Sequence, residues 1–175
     1  LVHGLPSEAC PDGTWYVDAG LGDAIHGPLP LAAGTYREGP FEFGLHPAPG
    51  EVGDWELRHH HLGSFPGMVF EREPTTIERF ASRNVVLSTS PDSVFVKTLT
   101  VQRRDADGVD IVRGQVLSRV AETATDVRTL ETQAEWFDAL ADVFGLTLDD
   151  VDDEARTRLW QRVHATHEAW LAART

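Results

Sequence analysis

Short apolar runs, several of them alternating with polar residues, follow one another through the first part of the chain. Turns rich in glycine and proline separate these runs, which lie at 15–18, 41–45, 55–62 and 68–71. A period of two is typical of strands with one buried face, and strands at this spacing are typical of small barrels. The pattern predicts a small antiparallel β-barrel or curled sheet over residues 1–74.

The pattern changes after residue 74, where it predicts a helix and then a hairpin. Thr75 or Thr76 is suited to cap a helix, and STSPDS ends it. The apolar face of this helix would be formed by Ile77, Phe80 and Ala81. The segments SVFVKTLTVQRR and VDIVRGQVLSRV then flank DADG, whose Asp-Gly pair is a strong hairpin signal.

The last part of the chain has the apolar spacing of two helices. Thr132 and Glu135 have the spacing of a capping box, and Gly145 is suited to end the first helix. Its apolar stripe consists of Trp136, Leu140, Val143 and Phe144. A second helix is predicted over 152–172, with an apolar side formed by Ala155, Leu159, Val163 and Trp170. The predicted class is therefore α+β, with a β-barrel domain over 1–74, an interdomain helix over 75–92 and an α/β domain over 93–175.

Composition and charge exclude several classes of function. The chain is 41% hydrophobic and 25% charged, and it carries a net charge of −13. Nucleic-acid binding requires clustered basic residues, so we expect no nucleic-acid partner. No apolar run reaches the roughly 20 residues of a membrane span, and no signal-peptide pattern opens the chain. We expect a cytoplasmic protein with no membrane partner.

Cysteine and methionine are each present once. With a single cysteine, Cys10, the chain forms no internal disulfide. Cys10 lies in a turn with no basic neighbour to activate its thiol, so we interpret it as an incidental loop residue rather than a nucleophile. The chain starts at Leu1 and its only methionine is Met68, so we expect a further segment to precede residue 1.

Two groups of histidines are candidate metal ligands. In a strand His59 and His61 would share a face, and two imidazoles can begin a metal site. No third ligand has a recognisable spacing, so we favour a polar strand surface for this triplet. His164 and His167 share a helix face without a known metal motif. We expect no metal.

A histidine and an aspartate form the more informative pair. If residues 1–7 and 14–18 are neighbouring antiparallel strands with opposed residue numbers summing to 21, His3 faces Asp18. Opposed side chains lie about 5 Å apart, within reach of an imidazole–carboxylate hydrogen bond. The bond can be purely structural, which is the simpler interpretation, or it can be the base and orienter of a catalytic triad.

At these residues the chain resembles the arylamine N-acetyltransferases. In that family a histidine is followed about fifteen residues later by the aspartate of a Val-Asp-Val-Gly-Phe-Gly segment, which leads into Pro-Leu-Pro-Leu. Here His3 precedes Asp18 by fifteen, the segment reads VDAGLGD, and PLPL follows at 28–31. RNVVLSTSPDSVFVKTLTVQRRDADG and ADVFGLTL are similar to later family motifs, so the resemblance spans nearly the whole chain.

The resemblance implies a fold with a core like that of papain-type cysteine proteases: a helical bundle, a β-barrel and an α/β lid. It also implies a Cys-His-Asp triad whose cysteine lies in the bundle before the histidine. This chain would carry the barrel and the lid, with His3 as base and Asp18 as orienter. The bundle, with its cysteine, would lie on a missing N-terminal segment that is a partner of this chain, and the 175-residue chain alone is predicted to be inactive.

The implied reaction moves an acetyl group from acetyl-CoA through the cysteine to a small-molecule amine, either an arylamine or a hydrazine. Gly20, Leu21 and Gly22 would lie beside the acyl thioester, and Leu21 and Phe95 beside the acceptor. Leu21 replaces the usual phenylalanine, and core packing is an equally good interpretation of Phe95. Two alternatives are an amide synthase that releases a polyketide from a carrier thioester and a non-catalytic module that binds an acyl thioester or a partner.

Overall fold

The computed structural model describes residues 2–3, 13–48, 50, 53–122 and 125–174. The chain divides into two units, which are described one at a time. The first consists of Leu1–Thr76, Arg104–Val109 and Val120–Thr123, and the second consists of Ile77–Arg103, Asp110–Arg119 and Ala124–Thr175. The fold is α+β, and its paired strands are antiparallel.

The first unit contains two small sheets. One has the order β1-β2-β3, formed by Val2–His3, Thr14–Tyr16 and Leu29–Pro30. The other has the order β4-β5-β6-β7, formed by Gly34–Glu38, Phe41–Pro47, Trp55–Arg58 and Gly67–Phe70. Both sheets are open within the described residues, so the predicted barrel is not closed there. A closed barrel requires one continuous ladder, and β1 and β3 contribute only two residues each.

The strand predicted at 41–45 is confirmed and shows why the first unit folds. In β5 the side chains of Phe41, Phe43 and Leu45 are buried, whereas Glu42 between them is exposed. Leu57 of β6, which pairs with Leu45, is also fully buried. Alternation therefore places the apolar side chains of neighbouring strands on one face, where they form the core of this unit.

The helix predicted after residue 74 begins later than expected. Ile77–Phe80 is a 3-10 turn, and α1 follows over Ala81–Thr89 with Phe80 at its N-cap and no side-chain cap. The predicted cap by Thr75 or Thr76 is therefore wrong. Neither the turn nor α1 contains a buried residue, so the predicted apolar face is exposed to solvent in this chain. Ile77, for example, is 79% exposed.

The DADG hairpin is confirmed, but the segments around it are subdivided. β8 (Thr100–Arg104) and β9 (Gly108–Arg113) flank the turn, and the Asp105 carboxylate accepts hydrogen bonds from the backbone N–H groups of Asp107 and Gly108. The stretch before β8 is not strand: Val94–Lys97 forms the short helix α2, because the Ser93 hydroxyl caps it. Gly114, at φ 59°, ends β9 and turns the chain into β10 (Val116–Ala121).

The remaining strand, β11 (Thr125–Thr129), completes a sheet of order β11-β10-β9-β8. The two C-terminal helices follow as α3 (Gln133–Phe144) and α4 (Asp153–Ala172). The capping box of Thr132 and Glu135 is confirmed, and so is the end of α3 at Gly145, which has φ 71°. The core of the second unit consists of Val112, Leu117, Leu130, Trp136, Ala139, Leu140 and Val163.

The predicted apolar stripes of these helices are only partly buried. Trp136 and Leu140 lie in the core, while Val143 and Phe144 are half-buried. Trp170, near the end of α4, is exposed. No helix in the described part of the chain is long and apolar enough to cross a membrane.

Replacing Thr132 by alanine should destabilise the second unit by about 0.5–2 kcal/mol. The variant removes the oxygen that accepts the Glu135 backbone N–H at 3.2 Å and leaves that donor without its cap. Urea unfolding followed by circular dichroism measures the change. Thr166→Ala is the matched control, because Thr166 lies within α4, where alanine favours helix. Equal stability of the two variants would contradict the capping argument.

Candidate active site

Asp18 lies just after β2 and organises the glycine-rich bend that follows. Its Oδ1 atom accepts hydrogen bonds from the backbone N–H groups of Gly20, at 2.8 Å, and Leu21, at 3.1 Å. Its Oδ2 atom accepts a hydrogen bond from the Tyr16 hydroxyl at 3.0 Å. Three donors therefore hold this half-buried carboxylate in one orientation, and the bend closes as an Asx turn.

The histidine predicted to face Asp18 has a different register. His3 pairs with Thr14, and Val2 pairs with Trp15, so opposed residue numbers sum to 17 rather than 21. The predicted direct opposition of His3 and Asp18 is therefore wrong. Its physical reason is that β2 ends at Tyr16, so Asp18 lies beyond the ladder and has no directly opposed partner on β1.

The pairing places the backbone of His3 beside Thr14, four residues before Asp18, which is about 13 Å along a fully extended chain. The side chain of His3 lies outside the described part of the structure. Cys10 also lies outside it. The contact between the imidazole of His3 and the carboxylate of Asp18 therefore stays a prediction.

The backbone conformation of the bend does not require glycine at position 20 or 22. The described glycines with positive φ are Gly13, Gly39, Gly67, Gly114 and Gly145, so neither Gly20 nor Gly22 requires the left-handed region. A Cβ atom at Gly20 would lie 3.6 Å from Asp18 Oδ1, which is an ordinary contact. Gly20 is exposed, and Leu21 and Gly22 are half-buried. Their contact with an acyl thioester stays a prediction.

Tyr16 is the site residue that sequence reasoning missed. Its side chain is buried, its ring centroid lies 5.0 Å from that of Phe70, and its hydroxyl bonds to Asp18. Burial, the charge of Asp18 and this hydrogen bond raise the pKa of Tyr16 well above its usual range. The available signal was its position two residues before Asp18, since residues two apart in a strand share a face.

Alkaline titration should reveal the environment of Tyr16, one of the two tyrosines of the chain. The pKa of Tyr16 is raised in the folded state, so its contribution to stability is complete below roughly pH 10 and is lost as the pH rises above that value. Tyrosinate absorbance should show one of the two tyrosines ionising only when the protein unfolds in alkali. Tyr16→Phe should abolish that late step, and Tyr36→Phe should retain it. A late step that survives in Tyr16→Phe would contradict the assignment.

Phe95, the predicted acceptor-site aromatic, lies in α2 of the second unit. Its side chain is 73% exposed, and its backbone N–H bonds to the Ser93 hydroxyl at 3.3 Å. The interpretation of Phe95 as a core residue is therefore wrong. Its exposed ring is free of the core, and its role toward a substrate stays a prediction.

The histidine triplet differs from the expected polar strand surface. β6 ends at Arg58, so these residues begin a loop, and the His59 side chain is fully buried. Its ring packs against Phe43 and Phe65, with centroids 5.3 and 4.6 Å away, and its Nε2 atom lies 3.9 Å from Asp23 Oδ1. The prediction failed for His59 because the loop folds back on the core.

The neighbouring His60 is half-buried, and its Nδ1 atom accepts a hydrogen bond from the Glu42 backbone N–H at 3.1 Å. Burial lowers the pKa of His60, and the neighbouring His61, His59 and Arg104 lower it further, while Glu42 opposes the shift. The described residues contain no group of three or more His, Cys, Asp or Glu side chains arranged for a metal ion.

The second pair of histidines lies on α4. His164 Nδ1 is 3.1 Å from the side-chain oxygen of Gln115, and its ring stacks on Trp160. Gln115 is itself buried and donates a hydrogen bond to the Leu130 carbonyl at 2.7 Å. This arrangement ties α4 to the strand connections of the second unit, which is a structural role.

Comparison with known proteins relates both units to one family. The profile of the N-acetyltransferase family matches residues 3–153. The chain is 29% identical over 173 residues to the arylamine N-acetyltransferase pineal gland isozyme NAT-3 of Gallus gallus, covering 85% of this chain and 59% of that protein.

Solved structures give the same result. An arylamine N-acetyltransferase of Mycobacterium smegmatis is 28% identical, with a TM-score of 0.72, and covers 87% of this chain and 54% of that one. A Mycobacterium marinum arylamine N-acetyltransferase in complex with CoA, 24% identical with a TM-score of 0.64, shares the fold over 78% of this chain and 49% of that one. The chain thus spans between about half and three fifths of the length of these relatives. It belongs to the N-acetyltransferase family that includes the arylamine N-acetyltransferases.

Proposed function

We propose that this chain is the His-Asp part of an arylamine N-acetyltransferase, which moves an acetyl group from acetyl-CoA through a cysteine thioester to an amine. Family membership supports this proposal, as does the relative whose structure contains CoA. The observation that carries it is the carboxylate of Asp18, which three hydrogen-bond donors hold in one orientation at the family's aspartate position.

His3 acts as the base, and the cysteine comes from a segment that precedes residue 1. The imidazole removes the thiol proton, and the thiolate attacks the thioester carbonyl carbon of acetyl-CoA. The tetrahedral intermediate collapses, the C–S bond to CoA breaks, and the CoA thiolate takes the proton from the imidazolium. The amine then attacks the acetyl-cysteine, His3 accepts an amine proton, and the cysteine leaves as thiolate, so atoms and charge balance.

Asp18 orients the imidazole and stabilises its cationic form. Oδ1 already accepts two backbone N–H groups, while Oδ2 accepts only the Tyr16 hydroxyl. A carboxylate oxygen can accept a second hydrogen bond, so Oδ2 is the atom that receives the ring N–H of His3.

Gly20, Leu21 and Gly22 form the wall beside the acyl thioester, and Leu21 and Phe95 contact the amine acceptor. The exposure of Phe95 supports its part in this assignment. Within a papain-like framework, residues 1–74 carry the histidine and aspartate of the triad, 75–92 connect the domains and 93–175 form the lid. The protein acts in the cytoplasm without a metal, nucleic acid or membrane.

Acetyl transfer should be assayed in the natural full-length protein with acetyl-CoA and an arylamine or hydrazine, by release of free CoA thiol. We expect turnover that is lost on His3→Ala, and no turnover by the 175-residue chain alone. Turnover that survives His3→Ala would refute the role of His3.

A parallel assay supplies an acyl group on a carrier protein. Transfer from the carrier and not from acetyl-CoA would identify the amide synthase, and Leu21 in place of the usual phenylalanine is the feature that favours that alternative. Thioester binding without transfer in either assay would identify a non-catalytic module.

A further inference from the structure

The first unit contains a second histidine and aspartate, distinct from the proposed triad residues. The side chains of His59 and Asp23 are 0% and 4% exposed. Two of their atoms, His59 Nε2 and Asp23 Oδ1, are buried without a hydrogen-bond partner among the described residues, and they lie 3.9 Å apart. Leaving two such polar atoms buried and unpaired is unfavourable, so this pair requires a physical explanation.

The other contacts of these two side chains determine which protons they carry. Asp23 Oδ2 accepts a hydrogen bond from the Ser64 backbone N–H at 2.7 Å. His59 Nδ1 lies 3.2 Å from the carbonyl oxygen of His60, and because a carbonyl can only accept, Nδ1 carries a proton. His59 Nε2 and Asp23 Oδ1 are therefore the two atoms left to pair with each other.

The surrounding chain is shaped to hold the His59 ring in this position. Phe43 and Phe65 contact it edge-on, and the backbone N–H of His59 bonds to the Pro66 carbonyl at 3.0 Å, which closes the loop 59–66. A Cβ atom at Gly63 would lie 1.8 Å from His59 Nδ1, so the loop accommodates the ring only because residue 63 is glycine. Phe43, Phe65 and Gly63 therefore enclose the ring in its place beside Asp23.

We propose that Asp23 and His59 are positioning residues that share one proton between Oδ1 and Nε2 and so hold the bend of Asp18 against the loop 59–66. A closing of about 1 Å brings the two atoms to the length of a charge-assisted hydrogen bond. Both atoms are then satisfied, whichever of them carries the proton. Neither side chain is accessible to a substrate, so the pair is not a second acid-base site.

The short bend that follows Asp18 connects the Asp23–His59 pair to the proposed active site. Asp18 holds the start of the bend through Gly20 and Leu21, and the Ala24 backbone N–H bonds to the Leu21 carbonyl at 3.2 Å. Asp23 holds the end of the same bend through Ser64 and His59. Loss of the Asp23 link should therefore loosen the amides that orient the Asp18 carboxylate. The catalytic consequence rests on the proposed function, whereas the structural link does not.

Imidazole nitrogen NMR of the natural protein labelled with ¹⁵N-histidine tests the shared proton directly. We expect a slowly exchanging proton that shows contacts to both the His59 ring and the Asp23 methylene. A His59 ring with Nδ1 protonated, a free Nε2 lone pair and no such proton would overturn the proposal. This measurement needs no variant, so it remains decisive if substitutions at these buried positions prevent folding.

Amide hydrogen exchange at Gly20 and Leu21 tests the positioning role. Asp23→Ala should accelerate exchange at both amides at least about tenfold, because the end of the bend is released. Asp23→Asn should restore protection, since its carbonyl can accept from Ser64 and its amide can donate to His59 Nε2. His61→Gln is the control, because His61 is exposed. Unchanged exchange in Asp23→Ala, or failure of Asn to restore it, would overturn the positioning role.

Kinetics of the full-length protein add a readout that lost stability alone does not produce. Asp23→Ala should lower kcat about 10- to 100-fold per folded molecule with a smaller change in KM for acetyl-CoA, and Asp23→Asn should recover most of the loss. An unchanged kcat in Asp23→Ala would overturn the catalytic consequence. Absence of transfer in the unsubstituted protein would instead refute the proposed function, and the NMR and exchange results would still decide the link.

Discussion

Asp18→Asn in the natural full-length protein is expected to lower kcat for acetyl transfer by about 100-fold or more. The asparagine carbonyl can occupy the place of Oδ1 and keep the bonds to Gly20 and Leu21, so the bend should survive. The amide nitrogen takes the place of Oδ2, and it cannot accept the ring N–H of His3 or stabilise an imidazolium. The loss should therefore appear in kcat more than in KM, which steady-state kinetics at several acetyl-CoA concentrations will measure.

The matched control for this prediction is Asp92→Asn, which removes the same charge from an exposed surface pair with Lys97. Exposed ion pairs contribute little, so its kinetics should match those of the unsubstituted protein. A kcat within about threefold of the unsubstituted value for Asp18→Asn would contradict the assignment of Asp18 as the orienting carboxylate.

Trp136→Ala is expected to destabilise the second unit by about 3–5 kcal/mol. The indole is fully buried in the core between α3 and α4, with its ring 5.0 Å from Phe137 and 6.4 Å from Trp160. Alanine leaves a large cavity and also removes the donor that bonds to the Gly114 carbonyl at 2.9 Å. Small domains are typically stable by only about 5–15 kcal/mol, so this single change removes much of the stability of the unit.

Urea unfolding followed by far-UV circular dichroism measures the effect on the second unit. Trp170→Ala provides the control, because the same residue type is 47% exposed near the end of α4 and its loss should cost less than about 1 kcal/mol. Similar unfolding midpoints for the two alanine variants would show that Trp136 does not anchor this core.

Short sequence patterns correctly predicted those helices, strands and turns that depend on interactions between residues close together in the sequence. The strand around Phe43, the Asp-Gly turn of the hairpin, and the helix between Thr132 and Gly145 are all confirmed. In each case the deciding interaction joins residues a few positions apart: alternation along one strand, an Asx turn, or a capping box. The α+β class follows from the order of these elements.

The ends of the helices and strands, and the contacts between residues distant in the sequence, were predicted less well. Val94–Lys97 has the composition of a strand, but the cap at Ser93 makes it a helix. The pairing of His3 with Thr14 depends on where β2 leaves the ladder, which its apolar pattern does not show. His59 was interpreted as a surface residue, because nothing near it in the sequence indicates that the loop folds over Phe43.

The sequence by itself determined the family, the α+β class and the position of Asp18 at the end of a strand, since these depend on motif order and on short-range periodicity. Only the tertiary structure decided that Tyr16 holds the Asp18 carboxylate, that the two N-terminal sheets are open over the described residues, and that His59 is buried against Asp23. Strand register and burial are set by packing between residues distant in sequence, such as Asp23 and His59, which are 36 positions apart. The free energy of this packing arises only when the whole core has formed, so the sequence of one short segment does not reveal it.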